Sequence, residues 1–376
     1  MQLLSLLGVA LSCLWANASP SPASPTAESV LIRHDDPLIY HHGRWDASPG
    51  TWWAGTRFKL HVQGLSSLSL TLGPHTTSPN VPIGISVDYG PFTTVNVSEG
   101  VNHIPLGLGA DEDDRLDARH VVRIDSWGWV DNRANLQSIT LNRGAQLLPY
   151  TPSKLAFEFI GDSLSAGQYL PAGVEQAWTF LVGENFKAEH TVTAQPGIAL
   201  ADIKANENVH GMTFQFWKTE DGGYVYTTDH NYTTPYDFAR DRPAATHVVI
   251  HIGANDPGNG DTAATFTPTY LGFIENLRKV YTHQPIFVFT PWGWPQPNGT
   301  VEYYLQGCYE DVVNTRHALG DHSVFLVNTT GWVTYADIFP DNSHPTVAGH
   351  QKIARLFEQW LQDWGLQPEA AWSTPI

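Results

Sequence analysis

The chain has 376 residues, of which 42% are hydrophobic and 12% aromatic, so it can bury the core of one or two domains. Its formal net charge of −17 repels phosphate backbones and disfavours nucleic acid as a partner. Beyond the N-terminal segment no stretch approaches the roughly 18 apolar residues of a membrane-spanning helix, so no membrane anchor is predicted.

Residues 1–18 have the features of a secretory signal peptide. An apolar run from Leu3 to Trp15 precedes Ala16-Asn17-Ala18, a small-x-small pattern that signal peptidase accepts. The protein is therefore expected to be secreted and extracellular, with a leader or linker at residues 19–27. Four N-glycosylation sequons fit this destination, at Asn96, Asn231, Asn298 and Asn328.

The cysteine content predicts a mature chain without an intrachain disulfide. Cys13 would leave with the signal peptide, and only Cys308 would remain. Because nothing around QGCYE resembles an activated thiol, Cys308 is expected to be buried and inert.

Residues 28–150 are predicted to form an all-β sandwich or jelly roll. Short alternating strands recur about every ten residues, with Gly or Asn at the breaks. The strands are read from FKLHVQG, SLSLTLG, IGISVDYG, FTTVNVSEG, VVRIDSWGWV and LQSITLNRG.

Residues 151–376 are predicted to form an α/β domain with three layers, α/β/α, around a parallel sheet. Buried strands are read from KLAFEFIGDS, HTVTAQPG, THVVIHIGAND, QPIFVFTPWG and SVFLVNTTG. Helical segments alternate with them, including PTYLGFIENLRKVYT and the final amphipathic PTVAGHQKIARLFEQWLQDW. In such folds the ligand site lies at the carboxyl ends of the strands. A long insertion or lid is expected from about 212 to 243.

Polar residues follow these strands at positions suited to nucleophilic catalysis. FIGDSLSAGQ puts Ser163 at a strand-to-helix turn, QPG ends in Gly197, and GAND carries Asn255. DNSHP supplies Asp341 and His344 just before the last helix. Taken alone, that segment is an ordinary helix start; with the others it completes a set.

This set contains a nucleophile, a base, an acid and three hydrogen-bond donors. Ser163 would attack a carbonyl, His344 would accept its proton, and Asp341 would hold the imidazole tautomer. The N–H groups of Ser163 and Gly197, with the Asn255 amide, would form an oxyanion hole.

The blocks GDSL (161–164), GAND (253–256) and DNSHP (341–345) resemble those of the SGNH, or GDSL-type, hydrolase superfamily in order and approximate spacing. Upstream, GRWDASPGTWWAGTRFKLHV (43–62) resembles the opening of the β-sandwich domain in family 2 of the carbohydrate esterases. The two resemblances together cover nearly the whole mature chain.

The resemblance implies a jelly-roll domain followed by an SGNH domain that removes acetyl groups from xylan or glucomannan, as acetylxylan esterases do. Some members of this family lack the acid and orient the histidine with a backbone carbonyl. Since Asp341 stands three residues before His344, a full Ser-His-Asp triad is expected here. The resemblance implies an acetylated polysaccharide or oligosaccharide as partner. We expect a monomer that needs no cofactor.

Other polar and aromatic residues near these motifs have structural alternatives. Asp162 and Asp256 are expected to hydrogen-bond their own turns, and His251 to be a satisfied core residue. No set of residues has metal-ligand spacing, so no metal is predicted. Trp292 and Trp294 can stack on a sugar ring, although packing of their own loop is at least as good an explanation.

Two other functions fit the same motifs. A general short-chain carboxylesterase or lipase would use the same fold and triad, because specificity depends on the pocket. A carbohydrate-binding protein that no longer catalyses would keep the fold, but the intact Ser163, Asn255, Asp341 and His344 argue against it.

Overall fold

A computed structural model of the protein describes residues 29–47, 49–108, 117–128, 133–206, 208–220 and 234–376. The predicted signal peptide, the leader at 19–27 and the sequon at Asn231 lie outside these residues. Among the helices that the structure describes, none is long and apolar enough to cross a membrane.

The first part of the chain forms two antiparallel sheets. Their strands are β1 (Val30–Arg33), β2 (Tyr40–His42), β3 (Gly50–Thr51), β4 (Arg57–Gln63), β5 (Leu68–Leu72), β6 (Val81–Val87), β7 (Thr93–Val97), β8 (Gly100–Ile104), β9 (Arg119–Ser126), β10 (Ala134–Leu141) and β11 (Gln146–Leu148). One sheet has the order β1-β10-β5-β8, with β3 on β10; the other has β11-β4-β9-β6-β7, with β2 on β4.

Apolar side chains at alternate positions of these strands form the core between the two sheets. Phe58, Leu60 and Val62 of β4 face Leu68 and Leu70 of β5 in one buried cluster. Because successive side chains of a strand point to opposite faces, the residues between them leave the core. This arrangement confirms the predicted sandwich. The strands predicted from the sequence do not include β1, β2, β3, β8 and β11.

The second part forms a parallel sheet covered by helices. Its elements are β12 (Ala156–Asp162), α1 (Ser163–Ala166), α2 (Trp178–Asn185), β13 (Glu189–Gln195), α3 (Met212–Gln215), β14 (His247–His251), α4 (Ala263–Leu277), β15 (Ile286–Phe289), β16 (Trp294–Pro295), β17 (Val301–Glu302), α5 (Cys308–Ala318), β18 (Val324–Val327) and α6 (Val347–Trp364). The sheet order is β13-β12-β14-β15-β18, and β16 and β17 form a separate hairpin.

Both faces of the parallel sheet are buried, which explains its continuous apolar strands. Phe157 and Phe159 of β12 pack in one cluster with α2 and α6. On the other face, Val248 and Ile250 of β14 pack with α4 and α5. The predicted three-layer α/β/α fold is confirmed, and Cys308 is buried on the second face as a free cysteine.

Two helices begin at other residues than the sequence predicts. Helix α4 begins at Ala263 rather than Pro268, because Thr262 and Thr265 form a capping box there. Helix α6 begins after Thr346, whose side chain accepts a hydrogen bond from the Gly349 N–H.

The expected insertion at 212–243 is described only outside 221–233. Its described part contacts the sandwich: Trp53 Nε1 donates to the Thr219 carbonyl at 2.8 Å, and Arg44 donates to the Lys218 carbonyl at 2.7 Å. The cluster around α3 and α4 includes Met212, and Phe216 packs there as well. The segment therefore joins the two halves of the molecule.

A charged interface also joins the sandwich to the α/β part. The outer face of β4 and β9 presents Lys59 and Arg123 to Glu189 and Glu184. The Lys59 Nζ–Glu189 Oε2 and Arg123–Glu184 Oε2 distances are both 2.6 Å. Burial raises the pKa of Glu189, but the hydrogen bond and charge of Lys59, together with His42 and Arg57, outweigh burial and lower that pKa to about 2. We call this set of ion pairs the interdomain charge cluster.

Candidate active site

Ser163 lies where β12 ends and the single-turn helix α1 begins. The Asp162 Oδ1 caps this turn by accepting a hydrogen bond from the Leu164 N–H at 3.0 Å. Gly161 permits the tight bend, because a Cβ there would lie 2.4 Å from the Ser165 Oγ. A helix of one turn has little macrodipole, so the backbone turn itself positions the Ser163 hydroxyl.

His344 contacts the hydroxyl of Ser163 from a loop 181 residues later. Its Nε2 lies 3.0 Å from the Ser163 Oγ, and its Nδ1 lies 2.9 Å from the Asn342 carbonyl oxygen. Since a carbonyl oxygen only accepts, the imidazole proton must be on Nδ1. Nε2 is then the acceptor for the serine hydroxyl, which is the arrangement of a nucleophile and its base.

The structure corrects the role predicted for Asp341. Its side chain is exposed, and no hydrogen bond or ion pair joins it to His344 among the described residues. The reason is local: the Asn342 carbonyl occupies Nδ1, and the Asn342 Oδ1 accepts the His344 N–H at 3.0 Å. The observed arrangement is a Ser-His pair oriented by backbone instead of a Ser-His-Asp triad.

Partial burial keeps the imidazole of His344 neutral. Burial disfavours the charged ring and lowers the pKa of His344 below 6.5, although the hydrogen bond to the Asn342 carbonyl opposes this effect. A neutral ring at neutral pH is the form that can accept a proton.

Gly197 and Asn255 lie on the loops that follow the two strands flanking β12. The Asn255 Nδ2 donates to the Ile198 carbonyl at 3.0 Å, so the two loops meet beyond the end of β12. Gly197 has φ +76°, and its N–H makes no hydrogen bond to a described residue. These two predicted donors therefore come to the edge of the sheet that carries Ser163.

Two buried aspartates support these loops: Asp162 bonds its own turn, as predicted, whereas Asp256 bonds the neighbouring loop after β13 rather than its own. Both carboxylate oxygens of Asp256 accept the Leu200 N–H at 2.9 Å, and Oδ1 accepts the Ala201 N–H at 3.0 Å. Burial raises the pKa of Asp162 to about 7 and that of Asp256 to about 6. Their hydrogen bonds go to the backbone of the loops, which is a structural role.

The prediction for Trp292 as a sugar-stacking residue is wrong. Its ring is 1% exposed and stacks on His251 with centroids 3.6 Å apart, so no ligand can reach its faces. His251 is a core residue as predicted, but neither ring nitrogen has a hydrogen-bond partner in the described structure. Trp294 is partly exposed and packs at 5.6 Å from Tyr304.

Sequence reasoning missed three residues beside the site. Asn342 orients His344, and an Asx turn in DNSHP was the available signal. Tyr169 lies with its ring centroid 4.9 Å from that of His344, at φ +69°. Asn206 donates to the Asn255 Oδ1 at 3.1 Å. Nothing in the sequence around the last two marks them, because the contacts depend on loop paths.

The remaining predicted sites concern metals and glycans. Within the ranges that the structure describes, no group of three or more His, Cys, Asp or Glu side chains is placed to hold a metal ion. The sequon residues Asn96, Asn298 and Asn328 are exposed. Glycosylation at these positions stays a prediction.

Three solved structures share the fold of most of the chain. A family two carbohydrate esterase from Cellvibrio japonicus is 18% identical, covering 90% of this chain and 99% of its own, with a TM-score of 0.68. One from Clostridium thermocellum, in complex with cellohexaose, is 19% identical over 87% and 98%, with a TM-score of 0.65. An acetyl xylan esterase from the rumen bacterium Butyrivibrio proteoclasticus is 15% identical over 90% and 99%, with a TM-score of 0.66.

A search of the curated proteins finds no significant match. The model of the GDSL-like lipase/acylhydrolase family matches residues 159–352, which contain Ser163, Gly197, Asn255 and His344. This match covers more than half of the chain and spans the parallel sheet. The chain therefore belongs to the GDSL-like lipase/acylhydrolase family, and its enzyme class is that of the esterases and acylhydrolases.

Proposed function

We propose that the protein is a secreted serine esterase that removes O-acetyl groups from plant cell-wall polysaccharide, of the acetylated xylan or glucomannan class. The observation that carries the proposal is the 3.0 Å contact of the His344 Nε2 with the Ser163 Oγ, with Nδ1 held by the Asn342 carbonyl. A serine so placed can act as a nucleophile at neutral pH without a metal or cofactor.

The reaction proceeds in two halves. The Ser163 Oγ attacks the acetyl carbonyl carbon while its proton passes to the His344 Nε2. The tetrahedral intermediate collapses, and the bond between the acetyl carbon and the sugar oxygen breaks. The sugar hydroxyl leaves with that proton. Water then attacks the acetyl-serine, giving one proton to Nε2, and acetic acid leaves as Ser163 regains that hydrogen; the acid then ionises to acetate in solution.

The oxyanion of both intermediates is stabilised by the N–H groups of Ser163 and Gly197 and by the Asn255 amide. The Gly197 N–H makes no bond within the described structure, and the second hydrogen of the Asn255 Nδ2 remains after the bond to Ile198. One such donor is worth about 10²–10³ in kcat when removed.

Three observations support a carbohydrate substrate outside the cell. The fold is shared over most of the chain with family two carbohydrate esterases, one of them in complex with cellohexaose. The partly exposed Trp294, in the β16–β17 hairpin that follows β15, offers a face for a sugar ring. The N-terminal signal-like segment and the exposed sequons favour secretion, and we expect a monomer with neither nucleic-acid nor membrane partners.

The test is acetate release from acetylated xylan and acetylated glucomannan by the wild type, Ser163→Ala and Ser165→Ala. Ser165 is the matched control because it lies in the same turn and its hydroxyl has no hydrogen-bond partner in the described structure. We expect the wild type and Ser165→Ala to release acetate and Ser163→Ala to lose activity by about 10⁴-fold or more.

The outcomes separate the rival functions. Release of acetate only from small synthetic esters, increasing with acyl length, indicates a general carboxylesterase or lipase and overturns the polysaccharide substrate. Wild-type protein that neither cleaves any ester nor reacts with a fluorophosphonate at Ser163 overturns the proposed catalysis and leaves a carbohydrate-binding protein.

A further inference from the structure

Asn206 joins the two oxyanion-hole loops with one side chain. Its Nδ2 donates to the Gly197 carbonyl at 3.2 Å and to the Asn255 Oδ1 at 3.1 Å. The residue itself is exposed and has φ +43°, a conformation that asparagine tolerates better than most residues. One amide thus contacts the backbone of the first predicted donor and the side chain of the second.

The orientations of both amides are fixed by carbonyl oxygens that only accept. Asn255 must direct its Nδ2 at the Ile198 carbonyl, so its Oδ1 points away toward Asn206. Asn206 must in turn direct its Nδ2 at the Gly197 carbonyl. Reversing either amide would place two oxygens against each other, which is repulsive. The chain of bonds therefore has only one favourable orientation.

We propose that Asn206 is a positioning residue of the oxyanion hole, acting through Asn255. It holds the Asn255 amide so that the hydrogen not used by Ile198 faces the oxyanion, and its contact with the Gly197 carbonyl fixes its own orientation. This inference rests on the proposed function, because it assigns a role within that reaction.

The loop after β13, which contains Gly197, does not depend on Asn206 for its path, because other residues hold it. The buried Asn208 donates to the Pro196 carbonyl at 2.9 Å and to the Ala205 carbonyl at 3.2 Å. Asp256 holds the Leu200 and Ala201 N–H groups from the next loop. The path of the chain is therefore secured by buried groups, and the exposed Asn206 has only the amide orientation left to determine.

The test compares Asn206→Asp with the wild type on 4-nitrophenyl acetate. Aspartate keeps the size and the positive-φ tolerance of asparagine but replaces both donated hydrogens with an acceptor. We expect kcat to fall about 10- to 100-fold with KM changed less than about threefold, because the lost contact matters in the transition state. The kcat of Asn206→Ala should also be lower than that of the wild type. Asn276→Asp, the same change on the exposed far end of α4, should keep wild-type kinetics.

A double-mutant cycle distinguishes positioning from a structural role. In an Asn255→Ala background we expect Asn206→Asp to cost less than about threefold, because its main target is absent. Affinity for an alkyl boronic acid, which forms a tetrahedral adduct on Ser163, should fall in parallel with kcat, and the thermal midpoint should stay within about 2 °C.

Each result is decisive for the proposal. The positioning role is overturned if Asn206→Asp lowers kcat equally with and without Asn255, or if kcat is unchanged in both Asn206 variants. Neither result contradicts the proposed esterase function. If Asn206→Asp fails to fold, Asn206→Ala serves in the same cycle. A wild type inactive on every ester overturns the proposed function instead, and the Asn206 role with it.

Discussion

The interdomain charge cluster and the catalytic edge both bury polar side chains, but they satisfy them differently. At the interface, full charges face opposite charges, as Lys59 and Glu189 do at 2.6 Å. At the catalytic edge, His344 and Asn255 are held by the backbone carbonyls of Asn342 and Ile198. The interface is held by paired full charges, whereas the imidazole that accepts the proton is held here by a neutral carbonyl.

The difference follows from the cost of burying an ion. A buried ion pair tolerates low dielectric only while both partners are charged. A neutral imidazole hydrogen-bonded to a carbonyl loses little on burial and remains free to accept a proton. Three predictions test this contrast, from the largest expected effect to the smallest.

Lys59→Met should have the largest effect of the three changes, because it disrupts the interface between the sandwich and the α/β part. It leaves the buried carboxylate of Glu189 without its countercharge, and we expect the free energy of unfolding to fall by about 3–5 kcal/mol. Urea denaturation measures the change, and kcat per folded molecule should stay near wild type. Adding Glu189→Gln should restore part of the loss. A loss below about 1 kcal/mol would show that the pair is not what holds this interface.

Lowering the pH should affect catalysis and the interdomain charge cluster in different pH ranges. His344 must be neutral to act, and its pKa is lowered below 6.5, so activity should be half lost only at some pH below 6.5. Glu189 has a folded pKa of about 2, below its usual 4.5. Its stabilising contribution is therefore complete above pH 4.5 and is lost as pH falls toward 2.

The measurement is kcat/KM against pH, with near-ultraviolet circular dichroism on the same samples. Activity lost between pH 6.5 and 4.5 should return when the pH is raised, while the tertiary signal stays constant. Loss of activity with a midpoint above pH 6.5, or in step with unfolding, would contradict the assignment of His344.

Asp341→Asn should have the smallest effect. Because the Asn342 carbonyl already holds the His344 Nδ1, removing the exposed carboxylate should change kcat by less than about threefold. The control is Asp363→Asn, an exposed change at the end of α6. A loss of 100-fold or more would restore Asp341 as the acid of a triad.

Much of the fold and the positions of the reactive groups could be predicted from the sequence. Apolar strands ending in GDSL, QPG and GAND brought Ser163, Gly197 and Asn255 to one sheet edge, because parallel strands share their carboxyl ends. The apolar pattern of each strand indicates where the strand ends, and therefore which residues lie at that edge. The short edge strands β1, β2 and β3 were missed since they are too brief for any pattern.

What the sequence could not give was the choice among nearby partners. From the sequence, the Asp341 carboxylate and the Asn342 carbonyl are both possible partners of the His344 Nδ1, and only the course of the loop decides between them. Trp292 and Trp294 are two residues apart, and packing against His251 and Trp178 makes the first a core residue. Asn206 reaches Asn255 across 49 residues of sequence, with no local signal.

The carbonyl that orients His344 has a consequence for how the protein can diverge. A side-chain acid is a mutational target, whereas no substitution deletes a backbone carbonyl. Drift at position 341 is therefore expected to be silent, and selection should act on the shape of the turn. Its sensitive point is Ser343 at φ +59°, where a β-branched residue or proline would misdirect the carbonyl without touching any reacting atom.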